Sequence, residues 1–90
     1  MTVRYRRSPA ATERRVGKSL FVANPALGSV YRMNETVGAL WHLLKDPVTL
    51  DEAVAVFRAA FPDLPAERIA DDVWTIFRDL IEEDLVEAVE

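Results

Sequence analysis

His42 is the only histidine in the 90-residue chain, and there is no cysteine. Catalysis built on one imidazole needs a nucleophile or a carboxylate brought to it, and no G-x-S-x-G, H-E-x-x-H or glycine-rich phosphate loop occurs. At about 100° per residue, His42 falls well away from the stripe of Val37, Leu40, Trp41 and Leu44, on the polar side of its helix. The acid pairs Asp71-Asp72 and Glu82-Glu83-Asp84 hold atoms that could bind a metal or donate a proton. Adjacent helical positions nevertheless diverge by about 100° and form a solvated face. Without thiolates, a thiol nucleophile or a disulfide, the chain reads as a non-enzyme with no cofactor and no metal, at home in a reducing compartment. No apolar run approaches the roughly 20 residues of a membrane span, and MTVRYRRSPA lacks the apolar core of a secretion signal. A cytoplasmic location off the membrane is the expectation.

The net charge of −4 hides an asymmetry. Residues 1–18 hold Arg4, Arg6, Arg7, Arg14, Arg15 and Lys18 against Glu13 alone, while residues 19–90 carry 5 basic and 14 acidic side chains. The sequence therefore divides into a basic arm, 1–18, with a possible first strand, and an acidic body, 19–90. Such a body repels nucleic acid, and a basic arm of this kind is a solvated terminus unless it attaches to phosphate.

The elements follow from periodicity. TVRYR alternates Val3 and Tyr5 with basic neighbours, a short strand signal, whereas Ser8 to Arg15 has no apolar period. Leu20 to Ala23, the turn Asn24-Pro25-Ala26-Leu27-Gly28-Ser29 and Val30 to Met33 form a β-hairpin, with Asn-Pro initiating the turn and Gly28 permitting re-entry. Asn34 caps a first helix whose stripe is Val37, Leu40, Trp41 and Leu44, and in which Gly38 suggests a close backbone approach. Asp46-Pro47 ends it. Thr49 and Glu52 have the capping-box spacing for a second helix with Leu50, Ala53, Val54, Phe57 and Phe61 on one face. A third helix runs from Pro65 to about Glu83, ending before Asp84 enters its stripe, and Leu85-Val86 pack as a tail.

Two features ask for a partner. The core stripe of helix three, Ile69, Val73, Ile76 and Leu80, is flanked by Phe77, Ala70, Ile81 and Trp74, which widen the apolar face to about 160° against the roughly 100° that one core requires. The hairpin must also have sheet edges with unpaired backbone groups. If Val30 to Met33 is such an edge beside Trp74 and Phe77, the two make a groove for an extended peptide. The plainer readings are that the flank packs on the hairpin and that the arm covers the edge.

The run LFVANPALGSVYRMNETVGALW, residues 20–41, with Met33-Asn34-Glu35-Thr36-Val37-Gly38 at its centre, resembles the strand-turn-strand, L-N-x-T-(G/A), helix pattern of PqqD-like proteins. The Thr49 cap, the Ala70-Asp71-Asp72-Val73 start of a long helix and a terminal L-x-x-x-L-V extend the likeness. Residues 1–18 match poorly, and Asp84 stands where a glycine commonly precedes the final leucine. The resemblance implies a small α+β, winged-helix-like fold of three strands followed by three helices, which recognises the leader segment of a ribosomally made precursor peptide. By the same resemblance the leader adds as a strand to the third strand and packs on the third helix, in a site of Leu27, Ser29, Val30, Tyr31, Arg32, Met33, Ala70, Val73, Trp74, Phe77 and Ile81. The implied partners are the precursor and a separate modifying enzyme, a cysteine peptidase in the lasso-peptide branch or a radical enzyme in the pyrroloquinoline quinone branch. A winged helix-turn-helix DNA-binding domain shares this element order. Its recognition helix here would carry Glu67, Asp71, Asp72, Asp79, Glu82 and Glu83 against Arg68 and Arg78, and DNA phosphates would repel it.

Overall fold

In the computed structural model, which describes residues 3–89, the chain runs β1 (Arg4–Arg7), β2 (Thr12–Val16), β3 (Ser19–Asn24), β4 (Ser29–Met33), α1 (Glu35–Leu43), β5 (Val48–Thr49), α2 (Leu50–Ala60), α3 (Ala66–Glu82) and β6 (Val86–Val89). The α+β class, the hairpin and the three helices agree with the expectation; the strands number six rather than three. They form two antiparallel three-stranded sheets, ordered β5-β1-β6 and β2-β3-β4.

The unforeseen strands are those that bury little of their own. All five residues of β2 are exposed, so it pairs with β3 along the backbone without an apolar alternation to betray it. β6 is the supposed tail, which pairs with β1 from Arg4↔Val89 to Arg7↔Val86 and brings the two ends of the chain together. Three cations of the arm meet carboxylates: Arg4 pairs with Glu52 at 2.8 Å, Arg7 with Glu13 at 3.1 Å and Arg6 with Glu87 at 3.5 Å. Arg7 also lays its guanidinium over the Trp41 ring, 4.6 Å from the centroid, and donates from Nε to the Trp41 carbonyl.

The core gathers Val22 and Met33 from the hairpin, Val37, Leu40 and Trp41 from α1, Leu44 at its end, Ala53 and Phe57 from α2, and Ile69, Val73, Phe77 and Leu80 from α3, closed by Leu85 and Val86. Caps stand where their residues place them. The Val37 N–H donates to Asn34 Oδ1 at 2.8 Å, and Thr49 and Glu52 exchange both bonds of a capping box. The Thr49 N–H holds the Glu52 carboxyl below its usual pKa, with Arg4 assisting. That contribution is present at neutral pH and fades as the pH falls through the lowered pKa.

Helix α3 ends in a Schellman turn: Leu85 N–H donates to Leu80 O at 2.9 Å and Asp84 N–H to Ile81 O at 3.0 Å, with Asp84 at φ 54°. The aspartate thus occupies a left-handed position suited to glycine, with its carboxylate at the negative end of the helix dipole. The buried Asn24 amide joins this turn to the hairpin, accepting from Ala26 N–H and donating to the Asp84 carbonyl at 3.1 Å.

Gly38 departs from expectation. A Cβ built there would meet nothing within 4 Å, so no backbone approaches it. Gly38→Ala should therefore raise stability by about 0.5–1 kcal/mol through helix propensity alone, measured by urea unfolding. On the same assay Asp84→Gly should be at least as stable as the parent, whereas Asp84→Val should lose about 1–2 kcal/mol at the left-handed turn.

Candidate functional site

Strand β4 pairs with β3 on one side and, among the described residues, with nothing on the other. The cross-strand pairs Val22↔Tyr31 and Leu20↔Met33 put Tyr31 and Met33 on the face that packs on the core, and Val30 and Arg32 on the opposite face. Val30 is 65% exposed, and Leu27, in the turn before it, is also exposed. The backbone edge from Ser29 to Met33 is therefore open to a further strand.

What lies beside that edge is settled by three observations. Asn24, paired with Ser29 at the start of β4, is bonded to the turn that ends α3. Tyr31 is within electrostatic reach of Asp79 and Glu83: burial first, then these two carboxylates, push its phenol above the usual tyrosine pKa. Thr36, just past β4, lines a small hollow of about 170 Å³ together with Phe57, Phe61, Asp72, Val73 and Ile76. Helix α3 accordingly runs alongside β4 in the opposite direction. Tyr31 is near Asp79 and Glu83 at one level of the helix, and Thr36 is near Asp72 and Ile76 at the next.

The structure distributes the residues of the expected groove between core and surface. Phe77 is fully buried, its ring centroid 5.3 Å from that of Tyr5 on β1, and Val73 is equally buried, so neither offers a surface side chain. Met33 is likewise in the core. Trp74, 49% exposed, and Ile81 and Ala70 lie on the flank of α3 that faces away from Tyr31, since on the wheel they are turned by roughly 140–180° from Asp79. Sequence reasoning did not foresee that Asp79 and Glu83 would come near Tyr31, or Ile76 near Thr36. Ile76 belonged to the supposed core stripe and is in fact only half-buried. The core stripe is Ile69, Val73, Phe77 and Leu80, rotated because the sheet of β1 covers the Phe77 side.

A free strand edge beside a helix is an arrangement that can take an added strand. His42 is exposed on α1, as its place on the wheel required. Residues 19–86 match the family described as coenzyme PQQ synthesis protein D (PqqD). The chain belongs to the PqqD family. The match begins at β3 and leaves β1 and β2 outside it. The fold is similar to a solved structure described as TbiB1 in complex with the TbiA(beta) leader peptide, with a TM-score of 0.79 and 17% sequence identity over 91% of this chain and 94% of that one. At that identity the likeness is one of fold. No curated protein matches the chain at the sequence level.

The juxtaposition of β4 with the Asp79 flank has a spectroscopic consequence. In a Tyr5→Phe background Tyr31 is the only tyrosine, and removing the two charges by Asp79→Asn and Glu83→Gln should lower its ionisation midpoint part of the way, burial being left in place. The neutral phenol supports the fold below the ordinary tyrosine pKa, and that support is lost as the pH rises through the raised value. Trp74→Ala should leave the midpoint where it was. An ultraviolet pH titration reads all three, and a midpoint indifferent to the double substitution would remove β4 from that flank.

Proposed function

We propose that this member of the PqqD family is a non-catalytic recognition element that takes the leader segment of a ribosomally made precursor peptide as an added strand along β4. It presents that precursor to a separate modifying enzyme, the leader peptidase of lasso-peptide biosynthesis. The observation that carries the reading is the unpaired edge from Ser29 to Met33 lying beside α3. Strand addition uses such an edge directly: main-chain bonds supply affinity that is indifferent to sequence, and alternate side chains of the ligand meet whatever lines the space beside the edge. Here the edge lies beside Tyr31, the partly buried Asp79 and Glu83, and the half-buried Ile76. The fold it shares with TbiB1, a protein solved with a leader peptide bound, supports the same assignment.

DNA binding finds no support in the charges. The outward face of α3 carries Glu67, Asp71, Asp72 and Glu82 against Arg68 and Arg78, and the cations of β1 are engaged by the carboxylates of Glu52, Glu87 and Glu13. A precursor of a quinone cofactor is the other ligand consistent with the family description.

A synthetic leader peptide of a lasso-peptide precursor is the test ligand. On titration it should shift the amides of residues 29–33 and those around Ile76, Asp79 and Glu83, while amides flanking Trp74 stay in place. Proline at Val30 and at Tyr31, introduced separately, should give unequal results, because alternate N–H groups of an edge strand face the ligand and the neighbouring strand. One substitution should weaken leader binding at little cost in stability, and the other should destabilise the hairpin. Amide shifts that avoid residues 29–33 would overturn strand addition.

A further inference from the structure

Trp74 is the most exposed aromatic side chain among the described residues, and neither the core nor the β4 edge uses it. The face of α3 on which it stands is open along the helix: Glu67, Asp71, Arg78 and Ile81 are exposed with it, and Ala70 is half-buried. At about 100° per residue, these five residues all fall within about 60° of Trp74 and make one stripe around it. Trp74, Ala70 and Ile81 form its apolar side, where the small Ala70 allows a close approach. Glu67, Asp71 and Arg78 form its charged side.

The order of those charges decides what fits the stripe. Arg78 stands about 6 Å along the helix axis beyond Trp74 and Asp71 about 4.5 Å before it, both turned to the same side. About 10.5 Å of helix separates the two, so they cannot pair within one copy. Among the described residues neither belongs to an ion pair. A second α3 laid antiparallel across a two-fold axis at Trp74 brings like sides together. Arg78 of each copy then comes level, to within about 1.5 Å along the axis, with Asp71 of the other, and Glu67 of that copy lies within one turn. A parallel helix makes no such pair. The charges thus complement a copy of themselves, which is the property of an isologous interface.

We propose that α3 is the contact face of a reversible two-fold dimer of this chain, in which Trp74 packs on Trp74 of the other copy and Arg78 of each copy pairs with Asp71 of the other. The net charge of −4 on each copy opposes close approach, so the association is weak and concentration-dependent. Trp74, Ala70 and Ile81 are turned by roughly 140–180° from Asp79, so the dimer leaves both β4 edges open. The proposal is therefore independent of the strand-addition reading.

Sedimentation velocity on the whole chain, from about 10 to about 500 μM, reads the association directly. The parent should pass from monomer to dimer across that range. Trp74→Ala should weaken the dimer at least about thirtyfold, the scale of a central aromatic in an interface. Asp71→Arg and Arg78→Asp should each remain monomeric, because each sets like charges at both symmetry-related contacts. An equimolar mixture of those two variants should dimerise again, because every contact then joins opposite charges. All three substituted residues are exposed, and a thermal melt checks that each variant is folded. A parent that is monomeric throughout, a dimer indifferent to Trp74→Ala, or a mixture that stays monomeric overturns the proposal.

Discussion

The buried side chain of Asn24 is the interaction on which the placement of the site depends. A primary amide taken out of water must find partners for its donors and acceptor, and here they lie in two different parts of the chain: the backbone N–H of Ala26 in the hairpin turn and the carbonyl of Asp84 after α3. Because Asp84 is held in a left-handed Schellman turn, its carbonyl points where the hairpin can reach it. The hairpin and the long helix are thereby joined at one end, and the core contacts of Val22 and Met33 with α1 and α3 close the angle between them. β4 is left beside α3 with its outer edge unpaired. The position of that edge is a by-product of satisfying one polar group.

The charge asymmetry of the chain acquires a structural meaning from the same geometry. The N-terminal cations do not hang free: Arg4, Arg6 and Arg7 are drawn onto Glu52, Glu87 and Glu13, and β1 sits between β5 and β6. Exposed pairs of this kind each contribute little, on the order of 0.2–1 kcal/mol, so β1 is held chiefly by its backbone ladders and by Tyr5 against Phe77. The pairing neutralises the cations of β1, whereas Arg14 and Arg15 of β2 and Arg32 of β4 make no ion pair among the described residues.

Much of this was legible from residue types. Asn34 and Thr49 announce the starts of α1 and α2, Asn24 to Ser29 announce the hairpin turn, and the misfit of Asp84 with the stripe of α3 announces its end, because these signals are local and involve three or four neighbours. The edge character of Val30 to Met33 follows from the order of the elements in the same way. β2 and β6 escaped because their pairing is to remote segments, through backbone groups that every residue carries.

The helical wheel of α3 marks the limit most clearly. Its wide apolar arc foretold that something besides one core packs against it, and Trp74 at the rim drew the expected groove to the flank turned away from Asp79. A wheel gives angles but has no way of stating which side meets a sheet. That was decided by β1, whose Tyr5 covers Phe77, and by Asn24, which fastens the hairpin near the Asp79 and Glu83 side. The sequence by itself determined the elements, their caps and the presence of a free strand edge. Only the tertiary structure decided which face of α3 that edge would lie beside, because the choice is made by contacts between residues as far apart in the chain as Asn24 and Asp84.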